Sequence, residues 1–535
     1  MPQRQAGDIG ATYQDAPTKS INVGGTRFVY RRLGADAGVP VIFLHHLGAV
    51  LDNWDPWKVD YSHKPDDGRQ IKIRLSTKQD PMVDKTGQTI RQIGIRCTTK
   101  QEYFDVVVHD EAGHELIERH MLEQLREVAE YTRVVLINGP RQAGKTTLLQ
   151  QLHAELGGWL RSLDVDVERA SARADPEGYI MSAPRPTFLD EVQCAGDPLI
   201  LAIKTATDRD RRPRQFFLSG STRFLTVPTL SESLAGRVAI LDLWPLSVAE
   251  RSGVRPEIIA QLFTEPQVVL GTEPAPVTRH EYLQLACAGG FPEVVQRPAG
   301  RARSRWFSDY LRTVTQRDVR ELKRIEQTDR LPRFMRYLAA ITAQELNVAE
   351  AARVIGVDAG TIRSDLALFE TVYLVHRLPA WSRNLTAKIK KRSKIHVVDS
   401  GFAAWLRGQS ADSLARPTAE GAGPIMETFV INELMKLRAA TELEVDLYHF
   451  RDRDGREIDC ILQTPDSRVV GVEVKASATV NVHDFRHLSF ARDRLGDEFI
   501  TGVLFYTGAR ALPFGDRLMA LPINLLWNGQ SVSSL

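Results

Sequence analysis

Cysteine is scarce in this chain of 535 residues, and Cys97, Cys194, Cys287 and Cys460 stand far apart. No Cys-x-x-Cys pair is present, so neither a zinc module of the usual spacing nor a disulfide framework is suggested, and a reducing cytoplasm fits best. Long apolar runs are missing too: none approaches the ~18 residues of a membrane helix, and the amino terminus lacks the apolar core of a signal peptide. The expectation is a soluble, cytoplasmic protein with no membrane partner. Nor does charge of one sign dominate, since 69 Lys and Arg face 67 Asp and Glu for a net +2. A nucleic-acid surface, if there is one, must therefore be local. The 43% apolar and 25% charged content is that of globular proteins, and the length suits about three or four domains.

The most informative stretch follows the apolar strand Val134-Val-Leu-Ile137. It is Gly139-Pro140-Arg141-Gln142-Ala143-Gly144-Lys145-Thr146, left through Thr147-Leu-Leu-Gln-Gln-Leu152. Two glycines let successive backbone N–H groups curl around phosphates, and the following helix presents its positive end. Lys145 would reach the β and γ phosphates and Thr146 would ligate magnesium. ATP and Mg2+ are the cofactors this loop implies.

Downstream, Arg185-Pro-Thr-Phe-Leu-Asp190-Glu191 is an apolar strand ending in two carboxylates. Alone, such a pair could be a solvated strand end. Beside a phosphate loop, Asp190 would hold the magnesium shell and Glu191 would activate the attacking water. A third strand, Gln215-Phe-Phe-Leu218, leads into Ser219-Gly-Ser221, with Ser221 as the candidate sensor of the γ phosphate. Arg237, before another apolar strand, could neutralise transition-state charge from its own chain or a neighbour's, or could be simply structural. An arginine acting between chains would require a homo-oligomer.

These pieces, with Ala288-Gly-Gly-Phe-Pro-Glu293 and Arg317-Asp318-Val-Arg320, resemble prokaryotic ATPases of the AAA superfamily that carry a C-terminal domain of unknown function. The resemblance runs from about Leu116 to the end. It implies an α/β nucleotide-binding domain with a parallel central sheet over residues 115–270, a helical segment over 271–340, and two smaller modules. Residues 1–57, with Val39-Pro-Val-Ile-Phe-Leu44 and His45-His46, resemble the truncated start of an α/β-hydrolase, but no Gly-x-Ser-x-Gly nucleophile motif occurs in the chain. Residues 58–114 carry no functional reading.

The first small module, residues 341–415, shows a helix, a turn at Gly356, a second helix and a strand, the order of a winged helix-turn-helix. Thr361, Arg363 and Ser364 would face DNA, and Lys388, Lys390, Lys391, Arg392 and Lys394 could neutralise phosphates near the wing; a solvated basic hairpin or a protein-contact surface is the competing reading. The second, residues 416–535, places a helix around Glu427 before strands ending in Asp459 and in Glu473-Val-Lys475. Strand alternation puts Glu473 and Lys475 on one face. This looks like a restriction-endonuclease fold, in which Glu427, Asp459 and Glu473 could hold a metal ion and Lys475 could position water. The same pattern also suits a half-exposed strand serving binding or structure. The functional expectation is an ATPase coupled to a module that acts on DNA or RNA; the alternative is a nucleotide-gated switch for a protein partner.

Overall fold

The computed structural model describes residues 117–528 apart from 224–233, 235, 298, 320–328, 384–391 and 417, together with the backbone of seven strands before residue 109. The chain divides into two units, Met1–Ile117 and Glu118–Leu535. In the first, β1 (Thr18–Val23), β2 (Thr26–Leu33) and β3 (Val41–His45) form an antiparallel sheet. The pairs β4 (Val59–Tyr61) with β5 (Ile73–Leu75), and β6 (Ile93–Cys97) with β7 (Phe104–Val108), are also antiparallel. The side chains of His45 and His46, and with them the hydrolase resemblance, lie outside the described residues.

The second unit opens with the amphipathic helix Met121–Ala129 and a parallel sheet of β8 (Val134–Asn138), β9 (Trp159–Ser162), β10 (Thr187–Asp190), β11 (Phe216–Gly220) and β12 (Val238–Asp242). The spatial order is β12-β8-β11-β10-β9. Helices cover both faces, which is why β8, β10 and β11 are apolar along their length instead of alternating. Val134 and Leu136 pack with Leu189, Leu199 and Ile203 on one side. Val135 and Ile137 meet Leu148, Leu152, Phe188 and Phe217 on the other. All five strands point the same way, so the loops after β8, β10 and β11 gather at one edge, where ligands of open α/β sheets bind.

Between residues 244 and 340 the described residues form a series of helices joined by loops, from Val248–Arg251 to Arg330–Ala340. Helices Val348–Ile355 and Ala359–Thr371 then flank Gly356, whose φ of +83° ends the first of them in the left-handed conformation. A small antiparallel sheet joins β13 (Gln344–Glu345), β14 (Val375–Leu378) and β15 (Lys394–Val397) in the order β13-β15-β14. The last module sets the helix Ala422–Leu437 against a mixed sheet. Its strands are β16 (Asp446–Arg451), β17 (Glu457–Gln463), β18 (Val469–Lys475), β19 (Phe499–Tyr506), β20 (Leu512–Pro513) and β21 (Leu518–Pro522), ordered β16-β17-β18-β19-β21-β20. One apolar core runs from the helical segment through both small modules. Among the described residues no helix is long and apolar enough to cross a membrane.

Candidate nucleotide site and a second acidic pocket

The loop after β8 is shaped by its glycines. At Gly139, φ is +153° and a Cβ would lie 2.1 Å from the Leu243 carbonyl oxygen, so no other residue fits without moving the chain. Gly144, at φ +96°, turns the loop into the helix Lys145–Leu156. The Lys145 ammonium donates to the carbonyls of Gly139 and Pro140 at 3.0 and 2.9 Å. It is thus held inside the loop it would share with phosphate.

Thr146 Oγ1 donates to Asp190 Oδ2 at 2.8 Å, although 44 residues separate them. The other carboxylate oxygen, Oδ1, accepts from Ser219 on the intervening strand β11. Burial pushes the Asp190 carboxyl above its ordinary range, while the hydrogen bonds from Ser219 and Thr146 and the charge of Lys145 pull it back. A carboxylate and a hydroxyl in contact at the loop are hard oxygen donors of the kind magnesium takes through one or two protein ligands. The residues present therefore fit that ion.

Glu191 has a left-handed backbone, φ +53°, and its N–H donates to Ser219 Oγ at 3.2 Å. The Gln193 amide donates both to the Glu191 carboxylate and, at 3.1 Å, to Ser221 Oγ. Ser221 is thereby linked to Glu191 through one side chain. Ser219 and Gln193 complete this chain of contacts; Ser219 could have been found from its place at the end of an apolar strand, whereas nothing in the sequence marks Gln193.

Arg237 does not join the group within one chain. It precedes β12, whose first residue Val238 pairs with Val134, so it lies at the opposite edge of the sheet from the loop after Asn138. There its guanidinium binds Asp208 at 2.6 Å. Other arginines come closer. A cavity of about 580 Å³ beside Lys145, Thr146 and Glu191 is walled by the helical segment through Arg297, Arg305 and Trp306. Arg305 pairs with Asp309 at 2.7 Å and Arg297 with Glu293 at 2.9 Å. Periodicity alone does not tell which face of this arginine-rich helix, Arg301–Thr313, meets the loop.

Arg119 was not foreseen either. Buried just before the first helix of the unit, it donates to the Ala143 carbonyl of the phosphate loop at 2.6 Å and to the Trp244 carbonyl at 2.6 Å. Its Nε meets Glu250 at 2.9 Å. Burial opposes the Glu250 charge, yet Arg119 and His120 hold its carboxyl below the ordinary range. Glu250 also caps the helix Val248–Arg251 through Ser247. The Val248 N–H donates to Glu433 at 2.7 Å, tying this corner to the helix Ala422–Leu437.

That helix carries Glu427 into a second pocket, of about 290 Å³, lined also by Glu457, Asp459, Glu473, Lys475 and His487. The four sequence candidates, Glu427, Asp459, Glu473 and Lys475, thus share one cavity. Burial and the nearby Asp459 drive the Glu427 and Glu473 carboxyls well above their ordinary range. Lys475 is 41% exposed, with Asp484 at 4.0 Å. The unforeseen occupant is Lys394. Expected to face a phosphate backbone, it is buried among these carboxylates, where Asp459, Glu427 and Glu457 overcome desolvation and hold its ammonium above the ordinary lysine range. Glu457 could have been found as the residue two before Asp459 on the same strand face. Lys388, Lys390 and Lys391 lie outside the described residues; Arg392 and Arg363 are exposed.

Residues 131–252 match the family described as AAA domain. Residues 279–413 match a Domain of unknown function (DUF8612) and residues 422–526 another, DUF4143. Uncharacterized proteins of Mycobacterium tuberculosis and Mycobacterium bovis are each 27% identical over 422 residues, 78% of this chain and 87% of theirs. Among solved structures, the Thermotoga maritima RuvB Holliday junction branch migration motor is 19% identical, covering 48% of this chain and 86% of its own with a TM-score of 0.23. AMPPCP-bound DnaA from Aquifex aeolicus is 16% identical over 47% and 85%, with a TM-score of 0.20. The chain carries a P-loop α/β domain of the AAA type followed by a C-terminal domain of unknown function.

Proposed function

We propose that the chain is a magnesium-dependent ATPase whose hydrolysis drives a change in its C-terminal modules. The observation that carries this reading is the 2.8 Å contact between Thr146 and Asp190, residues far apart in sequence that would share the magnesium ion. On binding, the loop N–H groups from Arg141 to Thr147 take the phosphate oxygens, and Lys145 exchanges its carbonyl partners for the β and γ phosphates. Thr146 and Asp190 would hold the magnesium ion, which would supply charge neutralisation at the phosphates. Glu191 takes a proton from the attacking water, with Gln193 and Ser221 fixing its carboxylate. Arg297 and Arg305 face the same cavity and offset the charge that develops on the transferred group.

The link to the C-terminal half is physical. Arg119 touches the phosphate loop and Glu250, and the next turn of chain is held by Glu433. A shift of the loop on losing the γ phosphate would be felt along these contacts. The target is proposed to be DNA or RNA, met by the exposed face of the helix Ala359–Thr371 around Arg363. The loss of Lys394 from the available basic residues favours keeping a second reading, in which this half binds a protein partner and the nucleotide serves as a timer. ATP turnover of the full chain with and without duplex and single-stranded DNA and RNA separates the two: stimulation supports the first, and its absence the second.

A further inference from the structure

Lys394 begins β15 in the module before the C-terminal sheet, yet its side chain is only 1% exposed and ends inside the acidic pocket. Its Nζ stands 2.7 Å from Glu427 Oε1, 2.7 Å from Glu457 Oε1 and 3.3 Å from Asp459 Oδ1. An ammonium has three N–H donors and no acceptor, and three carboxylates from a helix and a strand of the next module meet them. Asp459 Oδ2 is occupied in turn by the Val474 N–H at 2.9 Å.

Among the described residues, one fully buried carboxylate oxygen of the pocket is left without a hydrogen bond. Glu473 is 7% exposed and faces the same pocket, and its buried Oε1 accepts no hydrogen bond. The His487 Nδ1 atom is 3.8 Å away, beyond hydrogen-bond reach, and lies 2.7 Å from the Glu457 carbonyl, to which its N–H donates instead. A buried carboxylate oxygen with no donor is costly unless a cation is brought to it. Among the described residues, however, no three His, Cys, Asp or Glu side chains converge as ligands of a metal ion. The carboxylates are spread around an ammonium.

We propose that Lys394 is the resident cation of this pocket, standing where a divalent metal ion would bind, and that withdrawing its ammonium converts the pocket into a site for a hard divalent cation such as Mg2+ or Mn2+. Oxygen ligands hold magnesium at about 2.1 Å. An ion touching both Glu427 and Asp459 would overlap the ammonium that now bridges them. The two cations are therefore mutually exclusive. The lysine comes from one module and the carboxylates from the next, so the packing of the two modules decides which cation is held. With the lysine in place, the pocket is closed to metal-dependent phosphodiester chemistry.

The test follows Mn2+ binding to the nucleotide-free full chain by electron paramagnetic resonance, with Asp190→Asn as the parent so that the phosphate-loop site is silent. Removing Asp459 as well, by Asp459→Asn, is expected to change nothing in the parent. Lys394→Met is expected to gain one Mn2+ per chain, at least about tenfold tighter than any parental binding, and to lose it again on Asp459→Asn. Lys394→Met should also melt lower than the parent and be restored by Mn2+. A parental Mn2+ site that disappears with Asp459→Asn overturns the proposal, as does a folded Lys394→Met that gains none. If Lys394→Met does not fold, Lys394→Gln takes its place, and the parental comparison still decides.

Discussion

Thr146 and Asp190 are in hydrogen-bond contact, and Ser219 holds the far oxygen of the same carboxylate. The three come from the first turn of the helix that follows the loop after β8 and from the ends of β10 and β11, so the parallel sheet itself sets their spacing. In Asp190→Asn the magnesium dependence of ATP turnover is expected to vanish together with most of the turnover. Binding of ATP measured in EDTA should change little, because the loop N–H groups and Lys145 remain.

Arg305 and Arg237 make opposite predictions. Arg305 faces the cavity beside Glu191, and Arg305→Ala should lower kcat on the order of 10²-fold with ATP affinity largely kept. Arg237 is paired with Asp208 at the other edge of the sheet. Arg237→Ala should leave turnover of the isolated chain unchanged; a loss seen only at concentrations where chains associate would return it to the site as a residue acting between copies.

Arg119 and Glu250 form a buried pair whose side chains are 8% and 6% exposed. Removing one partner strands the other, at a cost of about 3–5 kcal/mol. Arg119→Ala is therefore expected to lower the denaturation midpoint and, through the lost bond to the Ala143 carbonyl, to weaken ATP binding. Urea unfolding and nucleotide titration check the two effects separately.

His376 gives a pH dependence. Burial lowers its pKa to about 4, below the ordinary histidine value of 6.5, and its ring is hydrogen-bonded to Asn432 at 2.9 Å and stacked on His396. The folded chain keeps the ring neutral while the unfolded chain protonates it, so the unfolded state binds more protons below about 6.5. Stability from this group is full above pH 6.5 and declines as pH falls toward 4. Urea midpoints at pH 7.5 and 5.0 should differ, and the difference should shrink in His376→Gln.

Much of the sheet edge was legible because the chemistry there is local in sequence. The loop from Gly139 to Thr147 and the strand ending in Asp190 and Glu191 each carry their own pattern of apolar residues and polar ends. In the C-terminal module, the strands around Asp459 and Glu473 lie close to where their residue pattern places them. What was not legible depends on packing between distant segments. Arg119 reaches Glu250 across 131 residues, and Lys394 reads in sequence as one of a basic run although its ammonium is committed to carboxylates of another module. Arg237 stands away from the phosphate loop within one chain for a related reason: an arginine before an apolar strand sits at the strand's start, whereas the phosphate loop follows the ends of its neighbours.

The most direct test of the central claim is single-turnover hydrolysis of ATP by the wild-type chain and by Glu191→Gln, with bound nucleotide measured in parallel. The account predicts that both hold ATP with magnesium, that Lys145→Ala holds none, and that Glu191→Gln cleaves it several orders of magnitude more slowly than wild type. Equal cleavage rates in wild type and Glu191→Gln, or undiminished ATP binding in Lys145→Ala, would contradict it.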